Sequence, residues 1–103
     1  MRIIARSTLR EFWRRHKRAK APLEGWYRVV RQAVWKNFAD VRRTFRAADT
    51  YAKGSFTYVI FDIGGNKYRL IAKIEYRLEL LYVGMVLTHE EYDNGRWKDM
   101  LPG

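Results

Sequence analysis

Five side chains in the second half of this chain are of types that could act on a phosphodiester. Lys67, Arg69 and Lys73 recur at even spacing along an alternating stretch, and His89 and Tyr92 stand three residues apart near the C-terminal end. A strand turns successive side chains to opposite faces, so the three cations share one face. Cleaving RNA without a metal requires three things: removing the 2′-OH proton, stabilising charge on the phosphate oxygens, and protonating the leaving 5′-oxygen. A guanidinium suits the second task, because its planar donors match phosphate oxygens and it stays charged. An imidazole can accept or donate a proton near neutral pH. A phenol one helical turn away can orient the phosphate through its hydroxyl or stack its ring on an unpaired base.

Taken singly, none of these signals is specific. A cationic strand face is most often solvated surface with salt bridges, here to Asp62 or Glu75, and an isolated His-x-x-Tyr is a common structural pattern. Their weight comes from position, with His89 directly after a strand that neighbours the cationic one. Other motifs carry less. His16 continues an apolar helix stripe and reads as packing. Trp13, Trp26 and Trp35 read as core. Gly64-Gly65 lacks the following helix and the Gly-Lys-Ser/Thr signature of a phosphate loop, so it reads as a hairpin. Gly84 inside a strand marks either a bulge or a close approach to the sheet. The acids are scattered, with no pair spaced for a two-carboxylate or metal-ligand site, so no metal and no cofactor is expected.

These residues need a scaffold to hold them. Arg2-Ile3-Ile4 reads as a short first strand. Ser7 is a candidate helix cap, and Leu9, Phe12, Trp13 and His16 follow at the spacing of one helix face. Ala21-Pro22 closes that element and opens the next, whose stripe is Leu23, Trp26, Tyr27, Val30 and Val34. Val41 and Phe45 suggest a further helical turn, and Asp49, Lys53 and Gly54 fall in a connection. The period then changes from 3.6 to 2. Phe56–Phe61 and Lys67–Glu75 form strands joined at Gly64-Gly65-Asn66, whose glycines permit positive φ. Glu79–Leu87 is apolar on both faces and reads as a central strand. Thr88 caps a last helical turn that Asn94-Gly95 ends. The expectation is a single α+β domain spanning 1–103, with two N-terminal helices on a small antiparallel sheet in the order β-α-α-β-β-β and a short C-terminal helix.

The 103 residues carry 21 Lys and Arg against 11 Asp and Glu, a formal net charge of +10. The charge is uneven: residues 1–46, which include Arg14 and Arg18, hold 14 Lys and Arg against three acids, while residues 47–103 hold seven against eight and are close to neutral. Such a field gathers polyanions without reading sequence. The arginines encircle the helices instead of lining one face, which argues against direct DNA reading. The absence of cysteine excludes a disulfide scaffold and a thiolate metal site. The charged N-terminal stretch lacks the apolar core of a signal peptide, and no run is long enough to span a bilayer. A soluble, cytoplasmic protein with no membrane partner is expected.

Several separated segments resemble the HigB-type toxins of the RelE-like group. They are Leu23 with Trp26-Tyr27, Trp35–Asp40, Gly64-Gly65-Asn66-Lys67-Tyr68-Arg69-Leu70-Ile71-Ala72, and Thr88-His89-Glu90-Glu91-Tyr92-Asp93. The resemblance implies a RelE-like fold and a ribosome-dependent mRNA endonuclease that inhibits translation as the toxin of a type II toxin–antitoxin module. Cleavage in that group uses the substrate's own 2′-OH and no metal. The resemblance also implies a neighbouring helix-turn-helix antitoxin of the HigA type, through which alone operator DNA is bound. Tyr68-Arg69 matches the group's phosphate-binding arginine and Tyr92 its C-terminal tyrosine, while His89 stands where RelE-like sequences have an arginine. Arg69, Lys73, His89 and Tyr92 are thus the candidate catalytic residues, and Lys53, Lys67, Arg14 and Arg18 the candidate RNA contacts. Asp62 replaces the asparagine usual in HigB-like hairpins, and the segment Tyr51–Thr57 is longer than the usual link. A non-catalytic RNA- or ribosome-binding module, or an inactive toxin kept as co-repressor, is the alternative reading.

Overall fold

The computed structural model describes all 103 residues. Its backbone opens with strand β1 (Arg2–Ile4) and helix α1 (Arg6–Arg15), passes through a 3-10 turn (Lys17–Ala19), and continues with helices α2 (Lys20–Gln32) and α3 (Phe38–Thr44). Strands β2 (Asp49–Lys53), β3 (Phe56–Ile63), β4 (Tyr68–Glu75) and β5 (Leu80–Thr88) follow, and two short helices, α4 (His89–Asn94) and α5 (Trp97–Met100), close the chain. The five strands form one sheet in the order β1-β5-β4-β3-β2.

This is the α+β architecture expected, with three differences. The sheet is mixed, because β1 runs parallel to Leu80–Tyr82 of β5 while the other pairs are antiparallel. Residues 49–53, read as a connection, form an edge strand paired with Phe56–Ile60. Its polar sequence, Asp-Thr-Tyr-Ala-Lys, suits an edge that faces water and so carries no hydrophobic signature. The further turn at Val41 is a full third helix, capped by Asn37, whose side-chain oxygen accepts from the Asp40 N–H at 3.0 Å.

Local signals placed other boundaries closely. Thr88 and Glu91 form a reciprocal cap on α4: the Glu91 N–H donates to the Thr88 hydroxyl at 3.2 Å, and the Thr88 N–H donates to the Glu91 carboxylate at 2.9 Å. Gly95 ends α4 at φ 76°. In the β3–β4 hairpin, Gly64 and Gly65 take φ 63° and 72°, as a turn of this kind requires. The turn is longer than the three residues expected, so Lys67 lies in it and β4 begins at Tyr68. Ser7 does not cap α1, whose N-cap is Ala5, two residues earlier, without a side-chain bond. Pro22 is the third residue of α2 and not the first, still within the first turn where a missing N–H goes unused. Gly84 proves to be a bulge: the register jumps between Ile71 paired with Met85 and Ala72 paired with Val83. A Cβ there would come within 3.1 Å of the Ile71 carbonyl oxygen.

The sheet is apolar on both sides. Helices α1 to α3 bury Leu9, Phe12, Leu23, Trp26, Val30 and Val41 against Val59, Phe61, Leu70, Ala72 and Leu81. Phe61 is fully buried and sits edge-on to Trp26 and Phe45 and stacked on Trp35. On the other face Tyr58, Ile60, Ile71 and Leu87 are covered by Trp97 and Leu101. The strand face expected to be open is therefore roofed along its middle. We expect Phe61→Ala to cost about 3–5 kcal/mol, because four aromatic rings share that space and cannot collapse into it. Denaturant titration followed by tryptophan fluorescence measures it.

Candidate active site

The roofed face is where the candidate residues meet. Arg69 lies opposite Leu87 on β5 and Asp62 on β3, so two neighbouring strands fix its backbone. Its Nε faces Asp62 Oδ1 at 3.2 Å, and its Nη1 donates to the carbonyls of Asn66 at 2.7 Å and Tyr68 at 3.2 Å. The guanidinium lies over the ring of Tyr92, with Cζ 4.9 Å from the centroid. Its side chain is only 11% exposed, so this cation–π contact falls in the partly desolvated range of about 0.5–2 kcal/mol. Four protein groups thus hold Arg69, and Nη2 is the nitrogen left for a ligand.

Tyr92 reaches Arg69 because α4 leaves β5 directly. The His89 N–H donates to the Lys67 carbonyl at 2.9 Å, tying the first turn of α4 to the β3–β4 hairpin. The Tyr92 ring also stacks on Trp97, with centroids 5.3 Å apart and planes within 13°. Two neighbours of this size cannot share one ring face, so Arg69 and Trp97 take one each. Stacking of Tyr92 on an RNA base, one of the two roles open from sequence, is thereby unavailable in this arrangement. The hydroxyl edge remains.

The Tyr92 phenol is pushed above its ordinary pKa, chiefly by burial. The Arg69 cation acts in the opposite direction, and the carboxylates of Asp49, Asp62 and Asp93 reinforce the rise. At neutral pH the phenol is therefore a hydrogen-bond donor. His89 forms its own pair, with Nε2 2.9 Å from Asp93 Oδ2 one turn later. That contact leaves Nδ1 as the ring nitrogen open to solvent or substrate, and the side chain is half exposed.

The remaining candidates are dispersed. Lys67 is exposed in the hairpin turn beside His89. Lys73 is four residues along β4 from Arg69, about 13 Å away. It pairs with Glu75 at 3.3 Å and lies over the Phe56 ring at 4.2 Å, outside the Arg69–Tyr92 cluster. Lys53 points to the C-terminal segment, its ammonium donating to the carbonyls of Lys98 at 2.6 Å and Leu101 at 2.7 Å. These backbone acceptors hold the charge that sequence reading assigned to RNA. Arg14 and Arg18 are exposed in the helical layer, on the side of the sheet away from Arg69. His16 stacks on Phe12 at 4.4 Å, as a packing residue does. Trp97 and Asp49 are the neighbours that sequence reading passed over. Asp49 reaches Tyr92 only through a tertiary contact, and Trp97, five residues on, falls outside the i+3 and i+4 spacings of a helix face. No group of three His, Cys, Asp or Glu side chains is arranged to hold a metal ion, and no helix is long and apolar enough to cross a membrane.

An α+β scaffold that sets an arginine, a tyrosine and a histidine at the end of a small sheet has the outline of a RelE-like toxin. Residues 19–95 match the HigB toxin family, described as the RelE-like toxic component of a toxin–antitoxin system, and the chain belongs to that family. It is 29% identical over 93 residues to the mRNA interferase HigB of Escherichia coli O6:H1, covering 90% of this chain and 89% of that protein. It is 24% identical to the mRNA interferase toxin HigB of Escherichia coli K12 and to the mRNA interferase HigB of Shigella flexneri, each over 90% of this chain and 88% of the relative. As a component of a toxin–antitoxin system, the protein has an antitoxin as its counterpart.

The raised phenol pKa carries a consequence for stability. Unfolded tyrosine ionises near pH ~10, while folded Tyr92 holds its proton to higher pH. The stabilisation is complete below the unfolded value and is lost as pH rises through the folded one. Tyr76, raised by burial and by Asp40, adds to the same slope. Denaturant midpoints taken across the alkaline range should fall with pH, and fall less steeply in Tyr92→Phe.

Proposed function

We infer that this protein is an mRNA interferase, an endoribonuclease acting on messages at the ribosome and inhibiting translation. The observation that carries the reading is the placement of the Arg69 guanidinium on the Tyr92 ring, 4.9 Å from Cζ to centroid, at the end of the sheet where His89 begins α4. The names of the relatives support the reaction class.

The chemistry follows from what each group has free. The 2′-OH of the substrate attacks the adjacent phosphorus, the bond from phosphorus to the 5′-oxygen breaks, and a 2′,3′-cyclic phosphate and a 5′-hydroxyl result. Nδ1 of His89 takes the 2′-OH proton, with Asp93 on Nε2 holding the ring in place. The outward edge of the Arg69 guanidinium meets the non-bridging oxygens as their charge grows. The Tyr92 hydroxyl, protonated at neutral pH, hydrogen-bonds the leaving 5′-oxygen and passes it a proton. All the groups required are side chains and substrate, so the reaction needs no metal. Asp62 half-neutralises Arg69 while fixing its orientation. Lys67, beside His89, contacts the RNA backbone, and Arg14 and Arg18 on the helical layer contact ribosomal RNA. Lys73 and Lys53 have no part in the reaction. The antitoxin is a helix-turn-helix protein of the HigA type, and operator DNA is reached through it.

Expressed without antitoxin, the chain should arrest growth and leave new 5′ ends within codons, mapped by primer extension. Arg69→Ala and Tyr92→Phe should each lower cleavage by about 100-fold or more while keeping the fold by circular dichroism. Arrest that persists in both folded variants, with no new 5′ ends in the parent, would instead show a binding module that blocks translation without cutting.

A further inference from the structure

The family match ends at Gly95, yet the eight residues after it do two jobs in this structure. Trp97 and Leu101, at 2% and 5% exposure, cover Tyr58, Ile60, Ile71 and Leu87 on the sheet. Trp97 also lies flat against Tyr92, and its indole Nε1 donates to the Tyr92 carbonyl at 2.9 Å. One side chain therefore fixes both the ring and the backbone of the same tyrosine. The tail is clamped from the opposite edge of the sheet. Lys53 on β2 binds two of its carbonyls, the Tyr58 hydroxyl donates to the Pro102 carbonyl, and Tyr51 packs edge-on to Trp97 at 5.2 Å. The continuous stack Arg69, Tyr92, Trp97, Tyr51 runs across the face from β4 to the edge strand.

We propose that Trp97 is a positioning residue for Tyr92, and that the clamped tail carrying it sets the phenol against the Arg69 guanidinium. The proposal rests on the function inferred above and adds to it a residue outside the reacting groups. Without the indole, α4 keeps its cap and its bond to Lys67, but the Tyr92 ring has support on one side only. An unsupported ring samples rotamers that carry the hydroxyl away from the guanidinium, and displacements of about 1 Å cost up to ~100-fold in rate. Trp97→Phe keeps a smaller aromatic surface behind the ring and loses the indole N–H.

The test uses the full-length chain and two readouts. One is message cleavage in expressing cells. The other is the alkaline absorbance titration of the Tyr92 phenol, isolated as the difference between each protein and its Tyr92→Phe counterpart, which needs no RNA. Trp97→Ala should lower cleavage by about 10- to 100-fold and move the phenol titration down towards the ordinary range as burial is lost. Trp97→Phe should restore most of both. Ile60→Val thins the same apolar layer and should leave both readouts unchanged, separating placement from stability. If Trp97→Ala does not fold, Lys53→Met, which frees the tail and keeps an apolar stem, carries the test with smaller shifts in the same directions. Wild-type cleavage in folded Trp97→Ala, or in Lys53→Met when that carries the test, overturns the proposal. So does a loss of cleavage with an unmoved phenol titration. Failure of the underlying function looks different: Arg69→Ala and Tyr92→Phe would then cut as well as the parent.

Discussion

A sheet that is apolar on both faces must be covered twice, and that constraint organises this protein. Three helices supply one cover and bury Phe61 among Trp26, Trp35 and Phe45. Only the residues after β5 remain to supply the other. Because α4 starts where β5 ends, the chain must turn back over the face that carries Arg69, and α5 and Leu101 complete the cover. The hydrophobic requirement thus brings Tyr92 to Arg69 before any charge is considered.

The electrostatics of the site are built on this apolar support. Arg69 is the one basic side chain on β4 that is nearly removed from water, and its Nε and Nη1 donors are directed at Asp62 and at two carbonyls. An arginine so restrained loses little freedom when it meets a phosphate, which is the advantage of a fixed donor over a flexible one. The carboxylate of Asp62 lowers the long-range positive field at this spot. The excess of basic residues in the first 46 positions acts over a longer range and is not screened by that pair. The dispersed positive charge and the restrained arginine thus lie in different layers of one small protein.

Lys53 and Lys73 illustrate how a cation can look functional in a sequence and be structural in the fold. Both sit in regular strands on a chain with strong positive charge. Lys53 satisfies two carbonyls of a short C-terminal segment that has no helix of useful length to pair them internally. Lys73 is separated from Arg69 by Ile71, over which the tail packs, and turns to Glu75 and Phe56. Even spacing along a strand places cations on one face without placing them at one ligand.

Elements set by local chemistry were legible from the residues alone: the glycine turn at 64 and 65, the Thr88 cap, the Gly95 stop, the stripe of α1, the stripe of α2 as far as Val30 though not the exposed Val34 beyond its end, and the alternation that put Arg69 and Ile71 together. Each depends on φ preferences or on neighbours within a few positions. The edge strand at Asp49–Lys53, the parallel pairing of β1 and the packing of Trp97 on Tyr51 of the edge strand were not. Those depend on which segments meet across the sheet, and that is decided by how the whole chain removes both apolar faces from water. The sequence by itself determined the reactive types and their strand and helix positions. The tertiary structure decided which of them share a site, because only long-range burial brings the C-terminal tail onto β4.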